Sequence, residues 1–176
     1  MSRYHLIRSD DMLNGDGLRV ILFLSGCEHH CKGCHNPETW DINSGKELNF
    51  STVSAICNEL EKEYISGLTL SGGDPLHESN ILDVFGLVNV VKSKYPDKTI
   101  WIYTGYTWEE VYTKCPKTYT EHFRNKIIES CDVLVDGKFV KDLADVNCPW
   151  AGSTNQRVID IKNTLRKNKI QIYKEV

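Results

Sequence analysis

One stretch, Ser25-Gly26-Cys27-Glu28-His29-His30-Cys31-Lys32-Gly33-Cys34-His35-Asn36, constrains this chain more than any other. It sets Cys27, Cys31 and Cys34 in a C-x3-C-x2-C spacing directly after the apolar run Val20-Ile21-Leu22-Phe23-Leu24. That run, with Arg19 before it, reads as a buried strand. Three thiolates carried on a loop at the end of a core strand point to an iron–sulfur cluster. They can ligate three irons of a [4Fe–4S] cluster and leave the fourth open to a substrate. Zinc is the rival, and it needs a fourth donor, for which His29, His30 and His35 stand nearby.

The other cysteines lack ligand spacing. Cys57 falls at helical spacing with Val53, Ile56, Leu60 and Tyr64 and reads as a core thiol. Cys115, Cys131 and Cys148 are scattered, so no second cluster is expected. Seven cysteines, an odd number with three clustered, fit a reducing compartment better than a disulfide framework, which places the protein in the cytoplasm. The opening Met1-Ser2-Arg3-Tyr4-His5 is polar with no apolar segment after it, so no signal peptide is expected. No apolar run approaches the ~20 residues that span a bilayer. A net charge of −3 gives no case for nucleic-acid or anionic-membrane partners. Lys162, Arg166, Lys167, Lys169 and Lys174 form a basic tail, a solvated helix face or a docking patch.

At 176 residues the chain is expected to be a single domain, 1–176. Residues 1–18 read as a polar, turn-rich entry containing Asn14-Gly15-Asp16-Gly17. A helix is expected from an N-cap at Ser51 to a stop at Gly67, then a short strand, Leu68-Thr69-Leu70. A second helix spans about 79–95, with Ile81, Phe85, Val88 and Val91 inward, before the strand Thr99–Thr104. Thr107-Trp108-Glu109-Glu110 matches a capping box, and helix follows again over about 120–130. Val133-Leu134-Val135 is a strand, with further strands expected at Arg157–Ile161 and Ile170–Tyr173 around a helix at 163–168.

Strands alternating with helices predict an α/β chain with a mostly parallel sheet of about five to six strands. The length is short of the ~250 residues of a complete eight-fold barrel, so a partial, open βα barrel is expected. In such folds chemistry gathers at the carboxyl ends of the strands. The cysteine loop, Ser71-Gly72-Gly73-Asp74, Thr104-Gly105-Tyr106 and Asp136-Gly137-Lys138 all follow strands and are expected to surround one site. Gly72 and Gly73 let backbone approach a ligand closely, although a simple turn has the same look. Asp136 and Lys138 are two apart at a strand end, a spacing that suits an amino-acid-like ligand or a plain surface ion pair.

Taken together, Asn14-Gly15-x-Gly17, Ser25-Gly26-Cys27, Cys31-x-Gly33-Cys34-x-Asn36, Thr39-Trp40, Leu70-Ser71-Gly72-Gly73-Asp74-Pro75-Leu76, Tyr103-Thr104-Gly105-Tyr106, Val135-Asp136-Gly137-Lys138-Phe139 and Gly152-Ser153-x-Asn155-Gln156-Arg157 resemble the radical S-adenosylmethionine (SAM) enzymes. Within them the likeness is to the branch of glycyl-radical activases that serves the anaerobic ribonucleoside-triphosphate reductase, and it spans about residues 14–157. Gly33, in place of an aromatic residue, and Asp74, in place of glutamate, agree with that branch. The resemblance implies reductive cleavage of SAM at a [4Fe–4S] cluster held by Cys27, Cys31 and Cys34. A 5′-deoxyadenosyl radical then takes hydrogen from a glycine of the reductase. It implies Gly33, Cys34 and His35 beside SAM, Gly72, Gly73 and Asp74 near its amino group, and Asp136 and Lys138 as a polar pair, with Thr104 a further contact. Asn155 and Arg157 are functional or a structural turn. A flavodoxin- or ferredoxin-like donor is expected, and a homodimer or heteromeric complex is open. The alternative is a radical SAM enzyme acting on another glycyl-radical enzyme or a small molecule.

Overall fold

The computed structural model describes residues 1–174; the last two residues of the expected domain, 175 and 176, lie outside them. Strands β1 (Arg3–Asp11) and β2 (Leu18–Leu24) pair antiparallel, and the short β3 (Lys46–Glu47) lies on the outer side of β1. Helix α1 (Phe50–Leu60) leads to β4 (Ile65–Gly72), and α2 (Ile81–Lys94) to β5 (Thr99–Tyr103). A single helical turn, α3 (Trp108–Val111), and α4 (Tyr119–Ser130) precede β6 (Val133–Asp136). Strand β7 (Arg157–Asp160) then runs antiparallel to β6 and leads directly into α5 (Ile161–Lys167).

The seven strands form one sheet in the order β3-β1-β2-β4-β5-β6-β7, with the central β2-β4-β5-β6 parallel. Successive crossovers step in one direction, and right-handed crossovers of that kind put the helices on one face. The side chains alternate accordingly. Val20, Leu22, Leu24, Leu68, Leu70, Ile100, Ile102 and Leu134 join the buried residues of α1, α2 and α4 in the main core. Trp101, Val133 and Val135 point the other way, under Trp150, Val158 and Tyr173.

Arg19 lies on this second face, fully buried at the start of β2. Its Nε–H donates to the Thr69 hydroxyl at 2.8 Å, and its two terminal nitrogens donate to the Thr99 hydroxyl and to the carbonyls of Asp16, Leu68 and Thr99 at 2.9–3.0 Å. The guanidinium also stands 5.4 Å from the Trp101 ring. It therefore ties β2, β4, β5 and the Asn14–Gly17 turn together from one atom group. Burial lowers its pKa to about 10, so it remains a cation at neutral pH.

Several expectations need correction. The entry segment is not a turn-rich lead but the nine-residue strand β1. Helix α1 begins before Ser51: Asn49 is its N-cap and accepts from the Thr52 N–H at 3.1 Å. Tyr64 is past the helix end and 56 % exposed. Gly67 does not end a helix; it lies in β4 opposite Thr99, whose carbonyl would collide with a Cβ there. Ile170–Tyr173 makes only an isolated bridge, Ile159 to Ile172, instead of a strand. The sheet is mixed and has seven strands in place of five to six, while it is open, as expected. Cys57 and Cys131 are buried in the core, as expected. Among the described residues no helix is long and apolar enough to cross a membrane.

Replacing Arg19 by Met is expected to leave those carbonyls and hydroxyls without a donor and to lower stability by about 3 kcal/mol or more. For a chain of this size that is roughly 6–12 °C in Tm. An unchanged melting temperature would show that Arg19 does not hold the strands together.

Candidate functional site

A cavity of about 610 Å³ opens at the carboxyl ends of the parallel strands. Cys27, Cys31 and Cys34 line it from the loop after β2, Ser71-Gly72-Gly73 from the end of β4, Thr104 and Gly105 from beyond β5, and Gly137 from beyond β6. The four strand-end loops thus meet at one place. Among the described residues no Asp, Glu, Lys or Arg lines the cavity.

The loops are joined beneath the cavity by Asp74, which is 1 % exposed. Its carboxylate accepts from the Leu76 N–H at 2.8 Å, the Gly105 N–H at 3.0 Å and the Thr104 hydroxyl at 2.9 Å. The Nε2 of His29, from the cysteine loop, completes the set at 2.8 Å. A Cβ at Gly105 would overlap the His29 ring, so glycine is required there. Tyr106 stacks edge-on against His29 at 4.5 Å and donates its hydroxyl to Glu28 at 2.5 Å. On the other side, the Gly73 and Asp74 N–H groups donate to Leu24 and Gly26 carbonyls, each at 2.7 Å. A Cβ at Gly73 would come within 2.6 Å of the Gly26 oxygen. The Gly72-Gly73 pair therefore lets the β4 exit lie flat against the start of the cysteine loop.

The cysteine loop is pinned at both ends. Gly26 and Cys27 N–H groups donate to the Thr39 and Trp40 carbonyls at 2.7 and 3.1 Å. All seven cysteines are free thiols. Burial raises the Cys27 pKa to about 11, and burial also raises that of Cys31. One observation bears on what the three thiols hold. Among the described residues no three His, Cys, Asp or Glu side chains converge on a point that fits a single metal ion. Three thiols that line one cavity, without a single-ion site among them, leave room for a multi-iron cluster. The histidines offered as a fourth zinc donor are otherwise placed: His29 faces Asp74, His30 packs on Trp40 and His35 lies against Phe139.

The structure does not bring every expected residue to the cavity. Cys34, His35, Gly72, Gly73 and Thr104 line it; Asp74 lies below. Gly33 is exposed at φ +78°, where a Cβ would press on Lys141. Asp136 is 1 % exposed, and its carboxylate accepts from Arg157 at 2.9 and 2.5 Å and from the Trp108 N–H at 2.7 Å. Lys138 is exposed, so the two do not form a pair on one side. Arg157, shared between Asp136 and Glu109, has its pKa raised by those carboxylates. Asn155 donates to the Lys138 carbonyl at 2.8 Å, which makes it a turn residue.

Other wall residues carried no expectation of a role. Met12 and Leu13 come from the loop after β1, and Cys148, Trp150 and Gln156 from the long β6–β7 connection. Cys148 shares the cavity with the three loop cysteines, a proximity that spacing along the chain does not reveal. His29, which the sequence left open as a solvent-facing residue or a supporting one behind the ligands, takes the supporting place: its side chain is 4 % exposed and bonded to Asp74.

A family model described as "4Fe-4S single cluster domain" matches residues 13–159. The anaerobic ribonucleoside-triphosphate reductase-activating protein of Escherichia coli strain K12 is 41 % identical over 157 residues, which is 88 % of this chain and 96 % of the relative. The protein of the same name from enterobacteria phage T4 is 39 % identical over 155 residues, 88 % of this chain and 92 % of its own. That from Vibrio cholerae serotype O1 is 42 % identical over 155 residues, 87 % and 94 % of the two chains. With the cysteine loop and its cavity in place, the match over most of the sequence settles the family: the chain belongs to the single-cluster 4Fe–4S proteins, among the anaerobic ribonucleoside-triphosphate reductase-activating proteins.

Proposed function

We propose that the protein activates the anaerobic ribonucleoside-triphosphate reductase by reductive cleavage of SAM at a [4Fe–4S] cluster held by Cys27, Cys31 and Cys34. The observation that carries this reading is the joint placement of three free thiols and the Gly72-Gly73 strand end on one uncharged cavity wall. The open sheet, on this reading, is the partial barrel of the radical SAM type. When bound, the cluster supplies one electron to the SAM sulfonium, which yields methionine and a 5′-deoxyadenosyl radical able to take hydrogen from a glycine.

The chain's own residues bind, orient and exclude water. The three thiolates fix three irons and leave the fourth for the amino and carboxylate groups of SAM. The Gly73 N–H is committed to Leu24, so what this strand end offers an ammonium group is a carbonyl oxygen. His35 borders the adenine from the cavity wall, and Gly33, exposed on the same loop, stays a candidate neighbour. Thr104 reaches SAM only through its backbone, because its hydroxyl is given to Asp74. Asp74 and Asp136 act by holding strand ends, and Lys138 remains a solvent-facing candidate. A wall without charged side chains has few groups that retain water, which protects a radical. Met12, Leu13 and Val146 leave the cavity edge apolar and exposed, suited to a polypeptide segment carrying the target glycine. The electron comes from a small flavodoxin- or ferredoxin-like donor. Seven free thiols favour a cytoplasmic setting.

Two experiments test this. Anaerobically reconstituted protein should be brown, hold about four irons per chain, cleave SAM when reduced, and raise a glycyl-radical doublet in the reductase. Cys31→Ala should abolish SAM cleavage, whereas Cys57→Ala should retain it. A colourless protein that takes only zinc, or full cleavage by Cys31→Ala, rules the reading out. Separately, Asp74→Asn should turn an N–H toward donors that need an acceptor, lowering stability by about 2–3 kcal/mol. It should also weaken SAM binding measured on the loaded protein. Unchanged melting and SAM affinity would remove Asp74 from its organising role.

A further inference from the structure

A second cavity, about 470 Å³, forms a groove between α3 and α5 and shares no lining residue with the first. Trp108, Tyr112, Leu165 and Ile170 line it and also pack on the main core, so its walls are apolar. The Trp108 and Tyr112 rings stand 4.9 Å apart. Its rim is basic. Lys114, which follows α3, and Lys169, which follows α5, both line it and are both exposed. The one carboxylate on the wall among the described residues, Glu109, is taken by Arg157 at 2.8 Å. From Ile161 to Lys174 the chain has five basic residues and no acidic one, although its net charge is −3. Lys162 is paired with Asp132, but Arg166 and Lys167 bond to the neutral Asn163 and Gln171, which leave their charge in place. The groove is also tied to the site. The Trp108 N–H donates to Asp136 at 2.7 Å, Arg157 links Asp136 to Glu109, and Gly137, next in the chain, lines the first cavity.

We propose that this groove docks an acidic segment of the reductase, one that carries an aromatic or aliphatic anchor, and holds the protein substrate while its target glycine enters the first cavity. This rests on the functional reading above. The apolar walls take the anchor and the lysines take carboxylates around it, an arrangement with a buried centre and a charged rim. Opposite charge at the rim speeds the encounter and rejects partners that are basic there. The strand order separates the α5 side of the groove from the cysteine loop: β4, β5 and β6 lie between β2, which carries that loop, and β7, which leads into α5. An electron donor docked here would stand across those strands from the loop that its electron must reach. A protein substrate suits the position, because only one of its segments enters the cavity and the rest is held outside it.

The test uses full-length, anaerobically reconstituted protein and the purified reductase. Lys114→Glu combined with Lys169→Glu reverses the rim at two exposed positions. Lys46→Glu, exposed on β3 at the other edge of the sheet, is the control. In titration calorimetry at low salt the double variant should bind the reductase about tenfold more weakly, because like charges then face each other. Wild-type affinity should fall as salt rises, and that dependence should flatten in the double variant. Glycyl-radical formation should need more reductase to reach half its full rate, while the full rate, melting and iron content match wild type. Carbodiimide joins amines to carboxylates in contact, so the wild-type complex should cross-link Lys114 or Lys169 to an aspartate or glutamate of the reductase. Wild-type affinity in the double variant, or a complex without such a cross-link, overturns the proposal. So does a defect confined to cluster reduction by the electron donor, or to self-association, either of which would assign the groove to another occupant. Wild-type protein that raises no glycyl radical in the reductase fails before any variant is compared, and overturns the functional reading together with this one.

Discussion

The carboxylate of Asp74 is surrounded by donors from three different loops, and the geometry of the cavity depends on it. A carboxyl group at 1 % exposure needs hydrogen-bond partners for most of its lone pairs, because a buried polar group left unpaired costs stability. Leu76, Thr104, Gly105 and His29 supply them, so the exit of β4, the exit of β5 and the cysteine loop after β2 are drawn to one point. Loops with no regular secondary structure are thereby held as firmly as the strands that precede them. Gly105 has no side chain because the His29 ring occupies that space, and Gly73 has none because Gly26 does. These glycines are consequences of how tightly the loops are drawn in.

Arg19 plays the matching part at the other end of the same strands. It is a buried cation without a direct carboxylate partner among the described residues, satisfied by carbonyls and threonine hydroxyls of β4 and β5. Paired with Asp74 it leaves the parallel core of the sheet clamped at both ends, cation below and anion above. Between them the second face of the sheet is filled by Trp101, Trp150 and Tyr173, whose rings meet edge to face at 5.1–5.7 Å. On this face the cavity therefore lies near the strand ends.

Much of this was legible in the sequence. The cysteine loop, the strands alternating with helices and the meeting of strand-end loops follow from spacing and from the rule that sites gather at carboxyl ends. What was not legible depends on contacts between distant residues. Strand β1 exposes the apolar Leu6 and buries the acidic Asp11, so no apolar–polar alternation marks it in the sequence. Gly67 resembles a helix stop because glycine often is one; its reason, the Thr99 carbonyl, lies in another strand. Asp136 and Lys138 look like a pair two apart on one face, but Asp136 is claimed by Arg157 from β7, a strand whose return next to β6 no local pattern specifies. The choice between a solvent-facing and a supporting place for His29 was open for the same reason: its partner Asp74 is forty-five residues away.

The uncharged cavity has a consequence for how the site is filled. Burial pushes the thiols of Cys27 and Cys31 up, Cys27 to about 11, so at neutral pH both are protonated before metal arrives. Only thiolates ligate iron, so loading must release those protons, and it is favoured as pH rises. No lysine or arginine lines the wall among the described residues, and the charge of Lys138 only partly offsets the effect of burial on Cys31. The charge that offsets three anions must come with the iron itself. A site of this kind is poor at holding thiolates when empty, and metal loading and thiol deprotonation are one coupled event.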